Sequence, residues 1–118
     1  MRLEKDPVIY ITHIIESINL TENFSKGLTK EKLEKDKLKQ SAIIRQIEII
    51  GEAVKNLPKE LIEKYKDIPW KDIIGMRDKI IHQYFDIDIN IVWDVLQQDL
   101  PELKKKIKEI LKKEKKSD

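Results

Sequence analysis

Ile43, Ile47, Ile50, Val54 and Leu57 recur at steps of 4, 3, 4 and 3. That spacing lines one side of an α-helix and cannot be gathered onto one face of a β-strand. A helix with such a seam has to bury it, and the chain carries further seams to bury it against. Val8, Ile11, Ile14/Ile15 and Ile18 form one near the start. Val92, Leu96, Leu100, Leu103, Ile107 and Ile110 form another near the end. Three Gly and four Pro in 118 residues leave too little turn punctuation for a β-rich domain of this size. Ala42, Ile49 and Ala53 widen the central seam, and Gly51 interrupts it at a cost of about 1 kcal/mol relative to Ala. A helix keeps a glycine where another backbone comes close, so Gly51 reads as a packing notch.

The boundaries follow from local chemistry. Asp6-Pro7 reads as an N-cap followed by proline at the first helical position, and Gly27 offers a stop. Thr29 caps a second helix, which runs through the charged residues 30–40 into the central seam. Pro58 ends it and opens a short helix over 59–65. Asp67-Ile68-Pro69 is a break, because the residue before a proline avoids the α region. A further helix is expected over 70–84, carrying Ile73, Ile80 and Ile81 inward. Asp88 caps the last helix, which Pro101 should kink or split near Asp99. Four principal helices and one short one predict an all-α, antiparallel up-and-down bundle with a kinked C-terminal helix, as a single domain over residues 1–118.

The absence of Cys excludes disulfide scaffolds, thiol nucleophiles and Cys-ligated zinc. With two His, a protein metal site would have to be carboxylate-built, and no acidic spacing stands out for one; no cofactor is expected. There is no glycine-rich phosphate loop, no Gly-x-Ser-x-Gly elbow and no His-Glu-x-x-His helix. The first residues lack a cationic segment followed by an apolar one, and no apolar stretch approaches the roughly 20 residues that cross a bilayer. A cytoplasmic protein with no membrane partner is the expectation. Residues 104–116 hold eight Lys and two Glu, a net +6. Such a run is ordinarily a solvated helix end and, less often, an electrostatic footprint for nucleic acid.

Most charged positions read as solvated helix faces; residues 75–85 do not. His82 is one of two histidines and Arg77 one of three arginines, in a chain that uses 21 Lys. Lysine suffices for solubility, whereas arginine supplies a planar fork that grips phosphate or carboxylate. On a helix running through Tyr84, Asp78 and His82 share a face, where the carboxylate would orient the imidazole and favour its protonated form. Arg77 and Tyr84 share a stripe. Arg77 and His82 fall about 140° apart and about 7.5 Å along the axis, so they would flank a groove or meet their counterparts across a two-fold axis. The second arrangement makes a composite site and predicts a homodimer. The plain alternatives are a surface Asp–His contact and an Arg77 that only pairs with an acidic neighbour. Arg45 pairs with Glu48 or Glu52, His13 is a boundary residue, and Trp70 and Trp93 fill the core or an interface.

The segment R-D-K-I-I-H-Q-Y (77–84) resembles the Arg-x4-His-x-Tyr signature of HepT-like toxins, within the HEPN group of helical ribonucleases. I-I-R-Q-I-E-I-I-G-E-A-V-K (43–55), I-P-W-K-D-I-I-G-M-R-D (68–78) and the blocks through 84–103 are similar to the family's as well. The resemblance implies an all-helical, dimeric, RNA-cleaving toxin. It further implies a nucleotidyltransferase antitoxin that silences the toxin by moving AMP from ATP onto tyrosine. By that resemblance Arg77 and His82 take the catalytic positions, Asp78 the polar position after the arginine, and Tyr84 the modified position. RNA carries its own nucleophile, the 2′-hydroxyl, so cleavage needs no metal if a base removes its proton. Two other classes stay open. One is a non-catalytic partner or substrate-binding subunit of a nucleotidyltransferase. The other is an RNA-binding bundle that uses the lysine tail without cleaving.

Overall fold

In a computed structural model, which describes residues 6–83 and 86–116, the chain is all-α apart from one small hairpin. Helix α1 (Pro7–Ser25) starts where the Asp6 carboxylate accepts from the Val8 N–H at 3.0 Å. It stops just before Gly27, the one described residue with a positive φ (76°). Thr29 then caps α2 (Lys30–Lys35) through the Lys32 N–H. The expected continuous second helix is broken at Asp36. That residue ends α2 and, with its carboxylate on the Lys39 N–H, starts α3 (Lys37–Lys55). The buried Gln40 amide ties the two pieces together by donating to the carbonyls of Leu33 (2.9 Å) and Glu34 (3.1 Å). Both are last-turn oxygens of α2, and that of Leu33 also accepts from the Asp36 N–H at 3.2 Å.

Pro58 opens the short α4 (Lys59–Lys64) as expected. The helix expected over 70–84 is a correction. It forms as two short pieces, α5 (Trp70–Ile74) and α6 (Met76–Ile80), with Gly75 between them, and it ends at Ile80. Residues Ile81–Gln83 are extended as β1 and pair antiparallel with β2 (Asp86–Ile87). The Ile80 carbonyl, which a continuing helix would give to residue 84, accepts from the Asp88 N–H at 2.8 Å instead. The β-branched pair Ile80-Ile81 followed by aromatic residues favours that switch.

Asp88 caps α7 (Ile89–Asp94) through the Ile91 N–H. The kink expected near Asp99 is a π-turn over Val95–Asp99, in which the Leu100 N–H reaches back to the Val95 carbonyl. Helix α8 (Leu100–Lys116) follows, with Pro101 in its first turn. A widened turn spares the proline ring its clash with a carbonyl four residues back.

The three seams meet in one core. Ile11, Ile14, Ile18, Ile43, Ile50, Val92 and Ile107 have no exposed surface, and α1 lies against both α3 and α8. Trp70 is buried with its indole N–H on the Tyr65 carbonyl at 2.9 Å, and Trp93 packs against the same core half-buried. His13 is exposed. Gly51 is the expected notch: a Cβ there would lie 3.4 Å from the Ile74 carbonyl oxygen and 3.6 Å from that of Ile73. This contact seats the α5–α6 segment, and therefore Arg77, against α3.

Candidate active site

Arg77 is the second residue of α6, one turn after Ile73 and Ile74 meet α3. Its side chain, 45% exposed, is held by two carboxylates. Nε donates to Glu48 Oε2 at 2.5 Å, and Nη1 lies 3.5 Å from Asp78 Oδ1. The Glu48 hydrogen bond is the main cause of a guanidinium pKa above its ordinary value, with partial burial opposing it. The group is therefore a permanent cation. Glu48 also approaches Arg45, whose Nη1 is 3.7 Å from Oε1. Two of the chain's three arginines thus converge on one carboxylate of α3.

These residues line an open cleft of about 550 Å³ between α3 and the α5–α6 segment, with Arg45, Glu48, Lys55, Ile74, Arg77 and Asp78 on its walls. Its walls mix cations and carboxylates. Ile74, 42% exposed, stands at its edge as one of four large apolar residues exposed among the described ones. A larger hollow of about 630 Å³ lies by Pro58, Leu61, Lys64 and Glu114. Its Lys64 and Glu114 are bonded to each other at 3.0 Å. Among the described residues no group of three or more His, Asp or Glu side chains is placed to hold a metal ion.

The structure brings Arg77 and Asp78 together, but by a different route from the one expected. Because α6 ends at Ile80, His82 lies on β1 and is not four residues along a helix from Asp78. The shared-face argument for that pair, the 140° separation of Arg77 and His82 and the Arg77–Tyr84 stripe all presupposed a helix through residue 84. They do not apply. Asp78 Oδ1 instead faces Arg77, from a side chain 81% exposed. Tyr84 lies outside the described residues. Glu48 is the neighbour that sequence reasoning missed, having been read only as a partner for Arg45. It is 29 residues from Arg77, beyond any local spacing rule. The usable signal was Gly51: a notch on α3 marks a close backbone, and Glu48 sits one turn before it.

Residues 14–110 match the family described as Ribonuclease HepT-like. A protein of Caldanaerobacter subterraneus subsp. tengcongensis named "Putative RNase TTE0752" is 48% identical over 111 residues, covering 94% of this chain and 99% of that one. The "Probable ribonuclease HepT" of Thermococcus cleftensis is 41% identical over 103 residues, covering 87% of this chain and 94% of that protein. "Gamma-glutamylcyclotransferase and putative RNase MJ0434" of Methanocaldococcus jannaschii is 48% identical over 109 residues, covering 92% of this chain but 49% of that longer protein. No solved structure matches the chain. With most of its length inside that match and an arginine cleft on its surface, the chain belongs to the HepT-like ribonuclease family.

Proposed function

We propose that the chain is the toxin of a toxin–antitoxin pair, a metal-independent endoribonuclease that cuts RNA through its own 2′-hydroxyl. The observation that carries this reading is Arg77, a permanent cation anchored through Nε at the edge of an open cleft, five residues before His82. In this mechanism the Arg77 fork holds the scissile phosphate and stabilises the charge that builds on its oxygens. His82 removes the 2′-hydroxyl proton, the 2′-oxygen attacks phosphorus, and the bond to the 5′-oxygen breaks with protonation of the leaving oxygen. The products are a 2′,3′-cyclic phosphate and a 5′-hydroxyl. Asp78 orients His82 or, as its contact with Arg77 favours, steadies the guanidinium.

The active unit is a homodimer, with the exposed Ile74 beside Arg77 supplying apolar surface at the cleft edge. A cognate nucleotidyltransferase antitoxin, using ATP, silences the protein by transferring AMP to Tyr84. Incubating the purified protein with labelled RNA in EDTA tests the central step. Cyclic-phosphate ends are expected from the wild type and none from Arg77→Ala or His82→Ala; full cleavage by either variant would remove the assignment. Co-expression with a nucleotidyltransferase should add whole AMP masses to the wild type and none to Tyr84→Phe, which should remain toxic.

A further inference from the structure

The cleft contains a carboxylate where a phosphate-binding surface gains nothing from one. Glu48 projects from the middle of the 19-residue α3, is only 28% exposed on its side chain, and is flanked by buried Ile44 and Ile47. It therefore sits on one of the most firmly packed elements of the molecule. Arg77 is on a five-residue helix and is nearly half exposed. A long side chain so placed samples several rotamers unless something holds it.

Glu48 takes the Nε corner of the guanidinium, while its other oxygen faces Arg45. The Arg77 Nη2 donors meet no carboxylate among the described residues. Holding a guanidinium by its Nε corner fixes the plane of the fork and leaves its far end for a ligand. Arg45 in turn offsets the charge of Glu48 and keeps that carboxylate seated.

We propose that Glu48 is a positioning residue for Arg77, which aims the guanidinium into the cleft from the rigid α3 helix, with Arg45 as its counter-charge. This rests on the reading of Arg77 as the phosphate-gripping group. A carboxylate near a bound phosphodiester weakens binding through like-charge repulsion, so the contribution of Glu48 falls on orientation at the reacting phosphate. That separates it from a residue that merely holds substrate or fold.

Steady-state cleavage of a short RNA by the full chain and its variants tests this, with melting temperature as a control. Glu48→Ala is expected to lower kcat about tenfold or more, as displacing a catalytic group does, while KM stays equal or falls. Glu48→Gln, whose amide oxygen still accepts from Nε, should recover most of kcat. In an Arg77→Lys background, which keeps residual cleavage but lacks the fork, Glu48→Ala should cost far less than in the wild type, because it acts through the guanidinium. Wild-type kcat in both Glu48 variants beside an inactive Arg77→Ala would overturn the positioning role and leave the nuclease site standing. So would a loss as large in the Arg77→Lys background as in the wild type. Wild-type kcat in Arg77→Ala would instead overturn the site itself, and this proposal with it.

Discussion

At the scale of single residues, what distinguishes Arg77 from the surrounding lysines is geometry more than charge. Lysine at position 77 would keep the positive charge but lose the planar fork that meets Glu48 at Nε and Asp78 at Nη1. Arg77→Lys is therefore expected to lower RNA cleavage by about 10²-fold with little change in melting temperature, the penalty of a misaligned group rather than an absent one. Pairing with an acidic neighbour was the plain alternative that the sequence offered for Arg77, but the neighbour's identity was out of reach because Glu48 arrives from another helix.

A second cluster bears on stability. Glu114 of α8, with 13% of its side chain exposed, accepts from the Tyr65 hydroxyl at 2.7 Å and from Lys64 at 3.0 Å. The tyrosine bond is the chief reason its pKa is held below the ordinary value. A depressed carboxylate stabilises the fold above its unfolded pKa and loses that effect as pH falls through the folded one. Glu114→Gln should therefore be less stable than wild type by about 1–2 kcal/mol at pH 7. The gap should close below about pH 4, where the unfolded carboxylate is protonated, as thermal melts across pH 3–7 would register.

Elements obey rules that are mostly local, and the exceptions mark where tertiary contacts act. The caps at Asp6, Thr29 and Asp88, the stop at Gly27 and the short helix after Pro58 were all legible, because each depends on atoms within four residues. The break at Asp36 was not, since the helical seam continues smoothly past it and the stabilising bonds come from Gln40. The end of α6 at Ile80 was hidden too, because the competing partner for its carbonyl is Asp88, eight residues on.

Gly51 allows a graded test. A Cβ would sit at ordinary contact distance from the Ile73 and Ile74 carbonyls, so the notch is one methyl deep. Gly51→Ala should lie within about 1 kcal/mol of wild type, since better helix propensity offsets the tighter fit. Gly51→Val should cost about 1–3 kcal/mol by overpacking, measured by denaturant unfolding, and should also reduce cleavage by lifting α6 away from Glu48. At the end of the π-turn, Asp99 has a pKa raised first by burial and next by Asp94, with Lys79 opposing. A raised carboxylate favours the fold at low pH and loses that effect as pH rises through its folded pKa. Asp99→Asn should therefore raise the melting temperature at pH 7 more than at pH 3.

For the whole molecule, the proposed dimer closes over the Arg77 face. A second copy there would cover the exposed Ile74, so on the proposed dimer reading sedimentation should give a dimer that Ile74→Glu weakens along with cleavage. Removing residues 104–118 would not isolate the lysine tail, because Ile107 and Ile110 are core residues and Lys104 holds Glu22 of α1 at 2.8 Å. Replacing exposed Lys105, Lys108 and Lys112 by Gln is the cleaner change. It should flatten the salt dependence of RNA binding while leaving kcat in place. No helix among the described residues is long and apolar enough to cross a membrane. By itself the sequence determined the all-α class, the seam residues of the core, the helix caps and the arginine worth attention, because helical periodicity and capping act over a single turn. Only the tertiary structure decided that the chain leaves the helix before His82 and that Arg77 is held by Glu48. Both outcomes turn on which distant partner wins a carbonyl or a guanidinium, and no spacing within one element encodes that competition.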